Sequence, residues 1–262
     1  KELGLVIVFL RPLGPPTSGH PSFRNQCILT SDDSPITTLS DLRGKRIGLS
    51  GWQDSGNTWT RALLLEAGVP VDSIQWTLSR MTAADRIDPE RGKQFWDDRV
   101  VFHDPDETPL VDLLKAGKID AIFQAFMPAD FYSEGYGLRQ LQPDFVSQEK
   151  AWFGRAGFVP GIHILAMKAD FIAAHPEAPR QLCELLRASQ NLWLAKRRKY
   201  FETTPWLIAD LIDMAKSLPE DWDPVGLEPN RRMLDEFARQ QYLQKLTPVQ
   251  RDADFLFPVK TI

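Results

Sequence analysis

Arg46-Ile47-Gly48-Leu49-Ser50-Gly51-Trp52-Gln53-Asp54-Ser55-Gly56-Asn57-Thr58-Trp59-Thr60-Arg61, continuing to Gly68, is the stretch on which the fold turns. Residues 46–49 form a short apolar run bounded by Lys45 and by Ser50-Gly51, the pattern of a buried strand. Residues 57–67 read as a helix, and Gly68 follows where a left-handed closing residue belongs. A strand, a loop and a helix in succession are the repeating unit of an α/β sheet. Ligands of such sheets bind beyond the carboxyl ends of the strands, beside helix starts. The loop 50–57 is therefore the first candidate site. Its small residues let backbone approach a ligand, and the helix start offers unpaired N–H groups and a positive dipole end, which suit a carboxylate. Arg61 lies one turn into the helix and could reach back as a bidentate partner. The plainer alternative is that Asp54 or Ser55 caps the helix and Arg61 stands in solvent.

The same alternation extends outward. Strand-like runs lie at 5–10, 26–30, 73–78, 99–102, 120–123 and 162–168, each short, apolar and bounded by turn residues. Residues 109–116 read as a helix closed by Gly117. Residues 179–198 place Leu182, Leu185, Leu186, Ser189 and Trp193 on one helical face. Thr204-Pro205 reads as cap and first residue of a helix carrying Leu207, Ile208, Leu211 and Ile212. Pro229 opens a last long helix through Met233, Leu234, Phe237 and Gln241. This helix-rich end is too long for a simple strand–helix alternation.

The chain has 262 residues, 43% apolar and 25% charged, with net charge −4. These are ordinary globular values, and the negative balance gives no nucleic-acid footprint. The basic run Lys196-Arg197-Arg198-Lys199 is the local exception and reads as a solvated helix end. Cys27 and Cys183 lie far apart, so this is no disulfide scaffold and no thiolate metal site. His20, His103, His163 and His175 lack metal-ligand spacing, leaving only a long-range metal site open. The apolar opening run is too short to span a bilayer and lacks a signal-peptide pattern.

Two groups of strings carry a family resemblance. Leu39-Ser40-Asp41-Leu42-Arg43-Gly44-Lys45-Arg46-Ile47-Gly48 resembles the turn by which type II solute-binding proteins enter their second lobe. Phe158-Val159-Pro160-Gly161-Ile162-His163, Pro205-Trp206 and Val225-Gly226-Leu227-Glu228-Pro229-Asn230-Arg231 together resemble the 4,5-dihydroxyphthalate decarboxylase family. Gln53, Thr58-Trp59-Thr60-Arg61 and Ser22-Phe23-Arg24 stand where that family has similar strings. The order holds along essentially the whole chain. The departures are an absent βαβ-sized segment ahead of Lys1, Asn25 where the family usually has His, and Trp52-Gln53-Asp54 in place of Tyr-Gln-Met.

The resemblance implies a two-lobed α/β fold of the type II periplasmic-binding-protein kind, with a ligand cleft between the lobes. Residues 1–44 and 153–262 would form one lobe and 45–152 an inserted second, joined by strands at 26–30 and 162–168. It implies decarboxylation of a hydroxylated aromatic acid, needing no metal or organic cofactor. That chemistry requires a clamp for a carboxylate, a twist of the departing carboxylate, and a proton for the ring carbon that loses it. His163 is the expected proton donor, although a histidine between Ile162 and Ile164 also reads as a core residue. Arg24, Arg61 and Arg231 are the expected clamps, with Gln53, Ser55 and Asn230 as polar contacts. Trp59, Trp52 and Phe23 would wall the ring. For Asn230-Arg231 the alternative is helix capping, and for Arg24 a surface position. The expected partner is a small aromatic carboxylate, with no nucleic acid and no membrane, and self-association is left open. Such an enzyme would be cytoplasmic. The competing expectation is a periplasmic, non-catalytic binding protein that delivers a small organic anion to a transporter.

Overall fold

The computed structural model describes residues 3–5, 23–88, 95, 101–103, 108–124, 126–197, 199 and 203–258. Along the chain these form β1 (Leu3–Leu5), β2 (Ile28–Ser31), β3 (Arg46–Leu49), α1 (Ser55–Glu66), β4 (Gln75–Leu78), β5 (Val101–His103), α2 (Leu110–Lys115) and β6 (Ala121–Phe123). There follow β7 (Leu138–Gln140), α3 (Phe145–Ala156), β8 (Ala166–Lys168), α4 (Ala169–Ala174), α5 (Ala178–Arg197), α6 (Leu207–Ser217), α7 (Leu227–Leu243) and α8 (Ala253–Leu256). The α/β class expected from the sequence is the one found. The chain divides into two compact units: residues 1–11, 156–238 and 251–262 form one, and 12–155 with 239–250 the other.

The larger unit is built on a six-stranded sheet in the order β5-β4-β3-β6-β2-β7. Strands β5, β4, β3 and β6 are mutually parallel, while β2 runs antiparallel to both β6 and β7. Period-two alternation sorts the side chains into two layers. Ile47 and Leu49, with Trp76, Leu78, Ala121 and Phe123, face the core that holds Leu64 of α1. Leu29 and Ile122 face the opposite core, with Leu110 and Leu114 of α2. Gly48 also points to that second side, where a Cβ would lie 2.5 Å from Leu110 Cδ2. The glycine is what lets α2 lie so close to the sheet.

The antiparallel entry of β2 has a positional consequence. Ile28, its first residue, pairs with Phe123, the last of β6, and Phe123 pairs with Leu49, the last of β3. The residues just before β2 therefore arrive at the same rim as the loops leaving β3 and β6. Residues 12–44, expected with the first lobe, group with 45–155 for this reason: β2 is a central strand of this sheet.

The smaller unit pairs β1 antiparallel with β8 and is otherwise helical. The expected strand at 162–168 shortens to Ala166–Lys168, and Ile164 is 43% exposed. A modest cluster of Cys183 and Val225 with Leu165, Met167, Ile172 and Leu186 forms its core. The face expected to be buried on α5 is only partly so: Leu186 packs inward, while Leu185 and Trp193 are 67% and 51% exposed. A two-stranded pair offers too little surface to cover a long helix. The Thr204 hydroxyl accepts from the Leu207 N–H at 3.1 Å, but α6 begins only at Leu207 with Trp206 in the cap position, so Thr204-Pro205 lie ahead of the helix rather than as its cap and first residue. Both cysteines are buried and neither is in a disulfide. No helix among the described residues is long and apolar enough to cross a membrane. His20, Ser22 and Arg198 lie outside the described residues, as do residues 6–10 of the run expected at 5–10 and residues 99–100 of that at 99–102.

Candidate functional site

The rim at the carboxyl ends of β3 and β6 gathers most of the expected site residues. Arg24, in the turn before β2, is buried, and its Nη2 donates to the Gln124 carbonyl just past β6. Its guanidinium lies on the first turn of α1, where a Cβ at Gly56 would fall 2.9 Å from Cζ and Nη2. The surface reading of Arg24 is thus overturned: the short turn 25–27 and the pairing of β2 draw it inward. Asp54 precedes α1, but its side chain does not cap the helix. The carboxylate turns toward Gly51, where a Cβ would lie 2.2 Å from Oδ2. Asn57 fixes the loop instead, donating to the Gly51 carbonyl at 2.8 Å. Ser55 is the first residue of α1.

Arg61 is neither solvated nor reaching outward. It is wholly buried, with Nε donating to Gln244 Oε1 and Nη2 to the Trp52 carbonyl, each at 2.7 Å. Its guanidinium stacks 4.3 Å from the Trp52 ring centroid. Burial pushes its pKa down to about 9, against a smaller upward pull from Asp54. The expected clamp is therefore a tie rod that fixes loop 50–54 to the end of α7.

Helix α3, which the sequence reading missed, completes this rim. Glu149 and Trp152 are three residues apart on α3 and so share a face. Trp152 meets Phe23 edge-on at 6.0 Å and Trp59 at 6.4 Å. Trp152 thus joins Phe23 and Trp59 of the expected aromatic wall, whereas Trp52, its third expected member, is packed in the core against Arg61 and Trp76. Trp152 also donates to Glu66 at 2.9 Å, and Arg155 pairs with the same carboxylate at 2.8 Å, which anchors α3 on α1. Glu149 is 8% exposed. Burial raises its pKa to about 7, opposed by a hydrogen bond from the Gln26 backbone and by the charge of Arg24. Cys27 beside them is pushed up to about 11 by burial, so its thiol stays protonated near neutrality. The signal for α3 in the sequence is partial: Phe145, Trp152 and Ala156 recur at helical spacing, but Glu149 interrupts the apolar stripe.

Buried polar atoms without a hydrogen-bond partner lie on these same segments: Asn25 Oδ1, Trp52 Nε1, Gln53 Oε1, Arg61 Nη1, Gln124 Oε1 and Glu149 Oε1. Buried polar groups are normally satisfied, so such a set marks where water or a ligand belongs.

The remaining candidates lie in the smaller unit. His163 is exposed, in an irregular segment ahead of β8, so its apolar-strand setting is not found. Asn230 donates to the carbonyls of Pro224 and Gly226 at 2.7 and 2.8 Å, pinning the loop that starts α7. Arg231 pairs with Glu228 at 2.6 Å and Asp254 at 2.8 Å. Its guanidinium is engaged by two carboxylates of its own unit, so the structure does not present it as a clamp. Among the described residues no group of three or more His, Cys, Asp or Glu side chains could hold a metal ion.

A family model described as NMT1/THI5 like matches residues 23–89, which span Arg24, β2, β3, loop 50–54 and α1. The chain is 24% identical over 230 residues to a 4,5-dihydroxyphthalate decarboxylase of Comamonas testosteroni, covering 86% of this chain and 69% of that one. It is 29% identical over 111 residues to a 4,5-dihydroxyphthalate decarboxylase of Pseudomonas putida, covering 42% and 43%. The resemblance read from the sequence strings thus extends over most of the chain. Among solved structures, the aliphatic sulphonate binding protein SsuA of Escherichia coli matches with a TM-score of 0.47 at 18% identity, over 99% of this chain and 69% of that one. The alkanesulfonate-binding protein SsuA of Xanthomonas axonopodis pv. citri, bound to MOPS, matches with a TM-score of 0.49 at 17% identity, over 95% and 72%.

Proposed function

We propose that the protein is a carboxy-lyase that decarboxylates a hydroxylated aromatic acid such as 4,5-dihydroxyphthalate without oxidation. The observation that carries this reading is the similarity to the Comamonas decarboxylase across 86% of the chain. The rim geometry supports it. Arg24, buried against the start of α1, is a fixed cation for the carboxylate that stays on the ring. The α1 start with Ser55, and Gln53 with its unpartnered Oε1, supply polar contacts. Phe23, Trp59 and Trp152 form an aromatic wall that displaces water from a reacting ring.

The chemistry asks little more. A ring hydroxyl donates electron density, the ring carbon bearing the departing carboxylate accepts a proton, and carbon dioxide leaves. The sequence reading gives that proton to His163. Incubation with hydroxylated phthalates, with carbon dioxide measured, tests the reading. Wild type should release it, a chelator should not change the rate, and Arg24→Lys should raise KM because it loses the planar fork. Binding without release from any hydroxylated acid would replace the enzyme with a binding protein for organic anions.

A further inference from the structure

We propose that Glu149 is the proton donor of this site, and that the ligand carboxylate seated beside Arg24 loads it. The inference rests on the decarboxylase reading and moves the proton from His163, exposed in the smaller unit, to Glu149. Glu149 and Trp152 share one face of α3, and the adjacent residues Phe23 and Arg24 face them. Trp152 meets Phe23 edge-on, and Arg24 is the charged neighbour of Glu149. The acid and the carboxylate clamp thus sit side by side beneath one aromatic wall. Glu149 Oε1 is buried and without a hydrogen-bond partner.

The charges around Glu149 give the loading its direction. Arg24 and Cys27 face it from the turn before β2, and the Gln26 N–H donates to it. On its own helix Arg155 is committed to Glu66 of α1. Burial already holds the carboxyl near neutrality, and Arg24 is the cation restraining it from going higher. A ligand carboxylate on Arg24 cancels that restraint, so binding draws a proton onto Glu149. In the chemical step the Glu149 O–H bond breaks and a C–H bond forms at the ring carbon carrying the departing carboxylate. The C–C bond then breaks, its electron pair restores the ring, and carbon dioxide leaves. Glu149 regains its proton from solvent, so one proton is consumed per turnover and nothing is oxidised or reduced.

The test has two arms. Calorimetric titration with phthalate, which has no ring hydroxyl, is run at pH 7 in buffers of different ionisation enthalpy. Wild type should take up about half a proton, the fraction missing from a group with pKa near 7. Glu149→Gln should bind phthalate with no uptake, and Glu149→Asp should retain part of it. In the second arm, with 4,5-dihydroxyphthalate, Glu149→Gln should lose kcat by about 10²–10⁴ with KM little changed, and Glu149→Asp should recover part of that loss. Equal proton uptake in wild type and Glu149→Gln overturns the loading. Normal turnover in Glu149→Gln overturns the donor assignment while the decarboxylase reading survives. Glu149-dependent uptake with no carbon dioxide released by wild type overturns both the donor assignment and the decarboxylase reading, leaving a proton-linked binding group.

Discussion

Replacing Arg61 separates a ligand clamp from an internal tie rod. Arg61→Ala removes two hydrogen bonds of 2.7 Å, leaves Gln244 Oε1 and the Trp52 carbonyl without those donors, and opens a cavity beside the Trp52 ring. Each stranded acceptor costs about 1–3 kcal/mol, and the lost stacking about 2 kcal/mol. Against this stands the relief of a buried cation. A guanidinium held down to about 9 reports roughly 5 kcal/mol of disfavour for the charged form. The cavity tips the balance in the alanine variant, for a net loss of about 3–4 kcal/mol. Arg61→Met fills the volume and carries no charge, so it should lose about 1–2 kcal/mol. Urea unfolding of wild type and both variants, with slopes compared to confirm a common transition, measures this. A clamp predicts the opposite pattern: unchanged stability and collapsed affinity for aromatic carboxylates. If Arg61→Ala unfolds at the wild-type midpoint but no longer binds phthalate, the tie-rod account is wrong.

Other expectations follow from the same rim. Glu149 has a native pKa raised from 4.5 to about 7, so the folded state binds its proton more tightly than the unfolded chain. Its contribution is therefore most favourable below pH 4.5 and declines by about 2–3 kcal/mol as pH rises through 7. Glu149→Gln should flatten that decline, read from urea midpoints at pH 5 and pH 8. Gly56→Ala places a methyl group 2.9 Å from the Arg24 guanidinium. Calorimetry should show roughly tenfold weaker phthalate binding, while alanine's helix preference of about 0.5–1 kcal/mol keeps the fold from weakening. Arg231→Ala should leave phthalate affinity unchanged in the same titration, because Glu228 and Asp254 already engage that guanidinium. His163→Ala should leave kcat near wild type if Glu149 holds the proton, and a collapse of turnover would return the role to His163.

Local pattern in the sequence located β3 and α1 nearly to the residue, because strand alternation and the Gly68 stop are written within a few positions of each other. It also picked out Arg24, Gln53 and Trp59 from strings resembling a family. What it could not supply was depth. Arg24 and Arg61 both read as isolated cations next to a helix start. Only the sheet and α7 show that one faces Glu149 and the other faces Gln244. Helix α3 was missed because its buried face is mixed, with Glu149 in the position where an apolar residue would have signalled a helix. The grouping of residues before 45 with those after it is hidden for a related reason. Register decides that β2 is a central strand, and register is a long-range property that one strand does not display by itself.

The opposed direction of β2 makes spacing a determinant in its own right. Arg24 reaches the site through a three-residue turn, Asn25–Cys27, whose far end is locked by the pairing of Ile28 with Phe123. In so tight a turn one added residue rotates what precedes it by about 120°. An insertion there would swing the guanidinium off Gly56 and away from Glu149 without altering any side chain of the rim. Two homologues could share every residue named here and differ in ligand because this turn differs by one. Alignments of such proteins should therefore be weighed by the number of residues between the arginine and the strand as well as by the residues themselves.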